Sequence, residues 1–328
     1  MTMQFDFNLC GRAERKSLMH YGNAIGGCLI IENILSFILM MLLTSVLSLS
    51  LSAFFDCRIE SVVENVIFLN TVNALITFVC FFGIFYVMMK ITRQPIAQTV
   101  GTVSPNNKRY LPFLIAFVLL FMIVGVYFSS FVQVIFEKIF HVVSQQVDYG
   151  EVNYDAFTFP FIMLCSAVIP ALVEEFAFRG AVLGTLRRFG DIPAIIVSSL
   201  MFSLMHGNFQ QIPYTFCLAL GLGFLRCVTD SIWPCVFCHF FNNMVALIQE
   251  MLPDMYGEIF CAIFYLAVIV CGVIGVVVII KKRLFSELYK PQLVTKTSNC
   301  VIRLIFSPLM LIAIIIYLIS ACQMFDKV

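Results

Sequence analysis

The chain has 328 residues, of which 61% are hydrophobic and 12% charged, with 35 phenylalanines and a formal net charge of +1. Soluble domains carry about 45–50% apolar and about 25% charged residues, so the composition excludes a cytosolic enzyme, a disordered chain and a secreted disulfide scaffold. A charge so close to zero gives no electrostatic footprint for a nucleic-acid partner. What remains is an all-α polytopic transmembrane bundle in contact with membrane lipid.

A helix needs about 20 apolar residues to cross the hydrocarbon core. Nine candidate spans are predicted, over 22–54, 64–90, 110–136, 157–183, 191–207, 211–229, 232–252, 258–280 and 301–322, so that eight or nine crossings are expected. The first is long enough to tilt or to extend beyond the bilayer. The fifth and sixth are short and contain polar residues. Acidic and basic residues such as Asp6 and Arg12 precede the first span, which is too long for a signal peptide's apolar region, so it is read as an anchor.

Lysine and arginine sort by connection. The amino-terminal tail and every second connection, holding for example Arg12, Arg93, Arg187, Arg226, Lys282 and Lys290, carry 17 of the 20 basic residues, while Arg58, Lys138 and Lys327 fall in the other set. By the positive-inside rule this predicts a cytoplasmic amino terminus, nine crossings and an external carboxyl terminus; the plasma membrane is the expected location.

Three segments differ in chemistry. Residues 1–150 and 256–328 hold membrane helices without an assignable motif, and 151–255 hold the polar constellation described next. The 13 cysteines scatter through apolar segments and read as buried free thiols. Cys235-Val236-Phe237-Cys238-His239 matches the c-type haem attachment string, but it lies in an apolar helix and is read as coincidence.

Ionisable groups at bilayer depth cost about 2.5–3.5 kcal/mol each on insertion scales and mark function by default. The fourth span carries Glu174, Glu175 and Arg179. Glu175 and Arg179 are four apart and share a helix face, which predicts an ion pair. Glu174 sits about 100° away around the helix and lacks a basic partner there, as a general base or metal ligand requires. The fifth span carries Phe202 and His206 on one face, with Gly207 next. The seventh carries His239 and Asn243 on one face, with Asn242 between them; a histidine and an amide aimed at one point suit an oxyanion hole or a two-helix metal site. Counted at 1.5 Å per residue, Glu174 lies about 20 Å from Arg187 and His239 about 14 Å from Asp230 along their helices, depths that allow one shared pocket. Glu32 and Asn33 add polarity to the first span. The blander readings are a structural Glu–Arg staple and histidines bonded to neighbouring backbone.

Glu-Glu-x-x-x-Arg, then Phe-x-x-x-His, then His-x-x-x-Asn, on successive spans, resembles the CPBP family of intramembrane proteases. That family includes the type II CAAX prenyl endopeptidases and the bacterial lysostaphin-resistance and bacteriocin-immunity proteins. The likeness covers about residues 155–250. It implies peptide-bond hydrolysis, CAAX-type or immunity-related, on a peptide or membrane-protein substrate. Glu174 and His206 would activate water, His239 and Asn243 would stabilise the oxyanion, and Glu175, Arg179 and Phe202 would support them. Both a divalent metal such as zinc, held by Glu174, His206 and His239, and a metal-free glutamate mechanism stay open. The site is expected to open toward the cytoplasm. The rival readings are a proton- or ion-coupled transporter, disfavoured by the lack of similar halves, and a non-catalytic scaffold of the same family.

Overall fold

The computed structural model describes residues 7–55, 65–144, 154–252 and 254–327. The chain runs through α1 (Phe7–Phe55), α2 (Val66–Ile91), a short α3 (Ile96–Val100), α4 (Leu111–Ile135, prolonged by a π turn at Phe136–Phe140) and β1 (Val142–Ser144). There follow α5 (Thr158–Phe189), α6 (Asp191–Leu204), α7 (Ile212–Thr229), α8 (Trp233–Met251), α9 (Asp254–Lys281), α10 (Thr297–Ile305), α11 (Pro308–Cys322) and β2 (Phe325–Lys327). Pro112, Pro213, Pro234 and Pro308 stand in the first turns of α4, α7, α8 and α11, where proline's fixed φ suits a helix start and its missing N–H costs nothing.

Buried α7 lies between α4 and α6, α9 covers α4, α8 packs on α5, and α1 runs along α10 and α11. Residues such as Phe37, Leu49, Ile263 and Leu266 leave the outer faces of α1 and α9 apolar and exposed, as lipid-facing surfaces require. This is an integral membrane protein.

The span count is lower than the eight or nine expected. Among the described residues, six helices are long and apolar enough to cross a membrane, or seven if α10 and α11, bent by 67°, count as one. The segment 191–207 forms the 14-residue α6. Protein encloses most of it, so it needs no bilayer-length apolar run. The segment 232–252 forms α8, whose run of His239, Asn242, Asn243, Gln249 and Glu250 makes it too polar for a free-standing span. The last span breaks between Ile305 and Pro308.

The ends of the bundle still sort as the charges do. At one end Arg187 pairs with Asp191 at 2.7 Å and Asp230 at 2.5 Å, Asn107 donates to Glu287 at 2.6 Å, the Tyr289 amide donates to Asp191 at 2.8 Å, and Glu14 accepts from the amides of Val294 and Thr295. At the other end β1 pairs antiparallel with β2, and Phe325 stacks with Phe136 and Phe209. Arg226 is a correction: it lies inside α7, 1% exposed, donating to the Thr99 carbonyl at 3.1 Å rather than in a connection. Eleven cysteines among the described residues are free thiols, Cys271 and Cys322 being exposed.

Candidate active site

α5 departs from a regular helix where its chemistry sits. Pro170 has no N–H to offer the Ser166 carbonyl four residues back. π segments at Leu164–Val168 and Phe176–Val182 flank the turn that bears Glu174 and Glu175. Such π turns recur at functional sites.

Glu175 is fully buried and serves two partners at once. Its Oε1 accepts from Arg179 Nη1 at 2.8 Å and lies 2.9 Å from His239 Nδ1. The expected intrahelical pair is therefore present, with an interhelical partner that the sequence did not reveal. The Arg179 guanidinium lies over the Phe202 ring at 4.2 Å, a favourable cation–π placement. Phe202 meets both imidazoles edge-on, His206 at 5.1 Å and His239 at 5.7 Å between centroids.

The histidine tautomers follow from their partners. His206 Nδ1 is 2.9 Å from the Phe202 carbonyl. A carbonyl only accepts, so Nδ1 carries the proton and Nε2 presents a lone pair. Gly207, with φ +58°, ends this segment in the left-handed region and turns the chain away beneath the ring. His239 Nδ1 faces an acidic oxygen, so it donates as well. Its Nε2 looks toward Glu174 Oε2 at 3.9 Å. That separation is too long for a direct hydrogen bond.

Glu174, 9% exposed, lines a cavity of about 430 Å³ with His206, His239 and Asn243. The sequence-derived residues from α5, α6 and α8 thus converge on one wall. Glu175, Arg179 and Phe202 lie behind it. Glu32, also buried, is not in the lining; it accepts from Tyr317 at 2.8 Å and Ser36 at 2.9 Å and ties α1 to α11. The cavity lining includes residues the sequence did not single out, among them Asn70, Ser166, Tyr154 and Glu250. Two asparagines three apart in apolar α2, Asn70 and Asn73, were the available signal, and both line the cavity; nothing local marked Tyr154.

The exposed lining residues are Asn73, Gln211, Ala246 and Glu250; of these Gln211 and Glu250, with the half-buried Tyr154, lie at the β1–β2 end, opposite the basic connections. The opposite direction is blocked because Phe178, Ala181, Val182 and Leu186 of α5 are fully buried in the core. At the mouth Tyr154 donates to Glu250 at 3.0 Å; burial first, then this bond, pushes the Tyr154 phenol up to about 12, so it stays protonated at neutral pH.

Glu174, His206 and His239 are of the donor types a zinc ion takes. Among the described residues, however, no three His, Cys, Asp or Glu side chains are grouped to hold one metal ion. The arrangement does not fit a shared ion, and no step below runs through one.

Residues 156–245 match the family model described as Type II CAAX prenyl endopeptidase Rce1-like. That segment is similar to this family. It reaches from just before α5 into α8 and holds Glu174, Glu175, Arg179, Phe202, His206, His239 and Asn243. A Bacillus subtilis (strain 168) protein described as "Putative membrane peptidase YdiL" is 24% identical over 95 residues, covering 29% of this chain and 39% of that protein. The likeness therefore spans well under half of the relative's length. No solved structure matches. α1 to α4 and α9 to α11 lie outside the Rce1-like segment.

Proposed function

We propose that this protein is an intramembrane endopeptidase that hydrolyses a peptide bond with a water molecule activated by Glu174 and His206. The observation that carries this reading is the meeting of Glu174, His206, His239 and Asn243 in one cavity between helices. The Rce1-like match over the same residues supports the same reaction class. By that likeness the substrate is a peptide or membrane protein of CAAX type, reached from lipid.

In the proposed reaction the Glu174 carboxylate takes a proton from water as the water oxygen bonds to the scissile carbonyl carbon. His206 Nε2, a lone-pair acceptor, holds the second water proton and so orients the attack. The carbonyl π electrons move to oxygen. Asn243 and a protonated His239 donate to that oxyanion. Collapse breaks the C–N bond, and the departing amine takes the proton stored on Glu174. An imidazolium at His239 also balances the cluster: two carboxylates, Glu174 and Glu175, then face two cations, Arg179 and His239. Buried charges are tolerated when paired in this way.

The test is cleavage by purified full-length protein in proteoliposomes. The substrates are an internally quenched farnesylated CAAX peptide and a pool of quenched unprenylated peptides. Cleavage that is lost in Glu174→Ala and in His206→Ala is expected. Wild-type rates in either variant, or ion transport by a protein that cleaves neither substrate, would overturn the reading.

A further inference from the structure

Asn243 can donate to an oxyanion only if its amide, not its carbonyl, faces the cavity, and the polar groups around it decide which does. Four groups form a chain. The Tyr214 hydroxyl of α7 bonds Asn242 Oδ1, Asn242 Nδ2 donates to Asn243 Oδ1 at 3.1 Å, and Asn243 Nδ2 lies 3.4 Å from the Ser166 carbonyl.

The chain has a fixed direction, and its fixed end is Ser166. That carbonyl can only accept, and Pro170 cannot supply the N–H that it would ordinarily receive. Asn243 must therefore turn Nδ2 toward it, since its own oxygen there would face another acceptor. Its Oδ1 then faces Asn242, which must answer with Nδ2. Asn242 Oδ1 is left pointing at Tyr214, whose hydroxyl supplies the last proton. Reversing any one amide sets oxygen against oxygen. Asn242 is buried, 8% exposed, so water cannot readily repair such a mismatch.

We infer that Tyr214 and Asn242 are positioning residues: they hold the Asn243 amide in the donor orientation at the cavity wall. This rests on the reading of Asn243 as an oxyanion donor and adds two residues that do not line the cavity. Tyr214 lies on α7, and its hydroxyl reaches α8 across the bundle. The relay thereby couples helix packing to the direction of a single amide.

The experiment is a double-mutant cycle on the full-length protein in proteoliposomes, read with the farnesylated quenched CAAX peptide. Asn243→Ala should lower kcat by about 10²-fold, as loss of one oxyanion donor does. Tyr214→Phe, which keeps the ring, should lower kcat about tenfold with KM little changed. Tyr214→Phe in the Asn243→Ala background should cost nothing more, because residues that act as a unit are non-additive. Multiplicative losses, or a Tyr214→Phe kcat equal to wild type, would overturn the relay. An unchanged kcat in Asn243→Ala would instead overturn the oxyanion role itself. A readout independent of cleavage is exchange of the Asn243 side-chain amide protons by NMR. They should be protected in wild type and exchange faster in Tyr214→Phe, and equal exchange would count against the relay even in an inactive protein.

Discussion

Glu175 holds His239 from the next helix but two: its carboxylate oxygen lies 2.9 Å from the imidazole Nδ1 while gripping Arg179 at 2.8 Å. One acidic side chain on α5 thereby sets both the tautomer and the tilt of a ring on α8. Breaking a buried pair by removing one partner costs about 3–5 kcal/mol, whereas apolar replacement of both is often neutral. Glu175→Ala should therefore lower the thermal midpoint and the activity together. Glu175→Ala combined with Arg179→Met should recover the midpoint but not the activity. Thermal unfolding in detergent beside the cleavage assay separates the two effects, and recovered activity in the double variant would argue against orientation of His239 by Glu175.

Much of this site was legible before the structure because helix geometry is local. The four-residue spacing of Glu175 and Arg179 forces one face, and the structure pairs them at 2.8 Å. The convergence of Glu174, His206 and His239 could be expected from their comparable depths. The partners across helices were not legible. Nothing in the spacing of His239 says that Glu175 rather than Glu174 meets its Nδ1, and nothing around Asn70 or Tyr154 says that they line the same cavity. The span count failed for a related reason. Hydropathy asks whether a segment can face lipid, but α6 is largely covered by neighbouring helices and α8 keeps polar groups on the cavity wall, so neither has to satisfy that demand.

The two ends of the chain are bound by close packing. A Cβ at Gly26 would run into the backbone of Leu309 and Met310, and the Leu309 amide, at the start of α11, is held by the Asn23 side chain at 3.0 Å. Gly26→Val should push α1 off α11 at a cost of about 1–3 kcal/mol, the range for overpacking. The expected signs are a lower thermal midpoint and faster exchange of the Tyr317 hydroxyl, which bonds Glu32 at 2.8 Å. An unchanged midpoint would mean that α1 and α11 can separate freely.

Asp155 caps the start of α5. Its carboxylate accepts from the backbone N–H groups of Thr158 at 2.7 Å and Phe157 at 2.8 Å, and these bonds, Thr158's first, hold its pKa below the ordinary 3.8. With the folded value below the unfolded one, the stabilisation is fully present above 3.8 and is lost as pH falls through the lower folded value. Amide exchange at Phe157 and Thr158 should rise on acidification only in that acid range. Asp155→Ala should show the fast exchange at neutral pH as well, where wild type is protected. Equal protection in both proteins would remove the cap from the account.

Because no three ligand-type side chains among those described gather about one ion position, hydrolysis should survive chelators. Protein stripped with 1,10-phenanthroline and EDTA is expected to keep its wild-type kcat, and added zinc should not raise it. Loss of activity on stripping with recovery on zinc would show that Glu174, His206 and His239 move together to bind metal.

The most direct measurement is kcat for Glu174→Gln beside wild type on the farnesylated quenched CAAX peptide, with both proteins matched for thermal midpoint. The substitution keeps shape and hydrogen bonding but removes the proton acceptor. General-base contributions are about 10²–10⁴-fold, so the account predicts a loss of kcat of at least that order with KM nearly unchanged. A Glu174→Gln protein that cleaves at the wild-type rate would contradict the claim that this carboxylate activates the water.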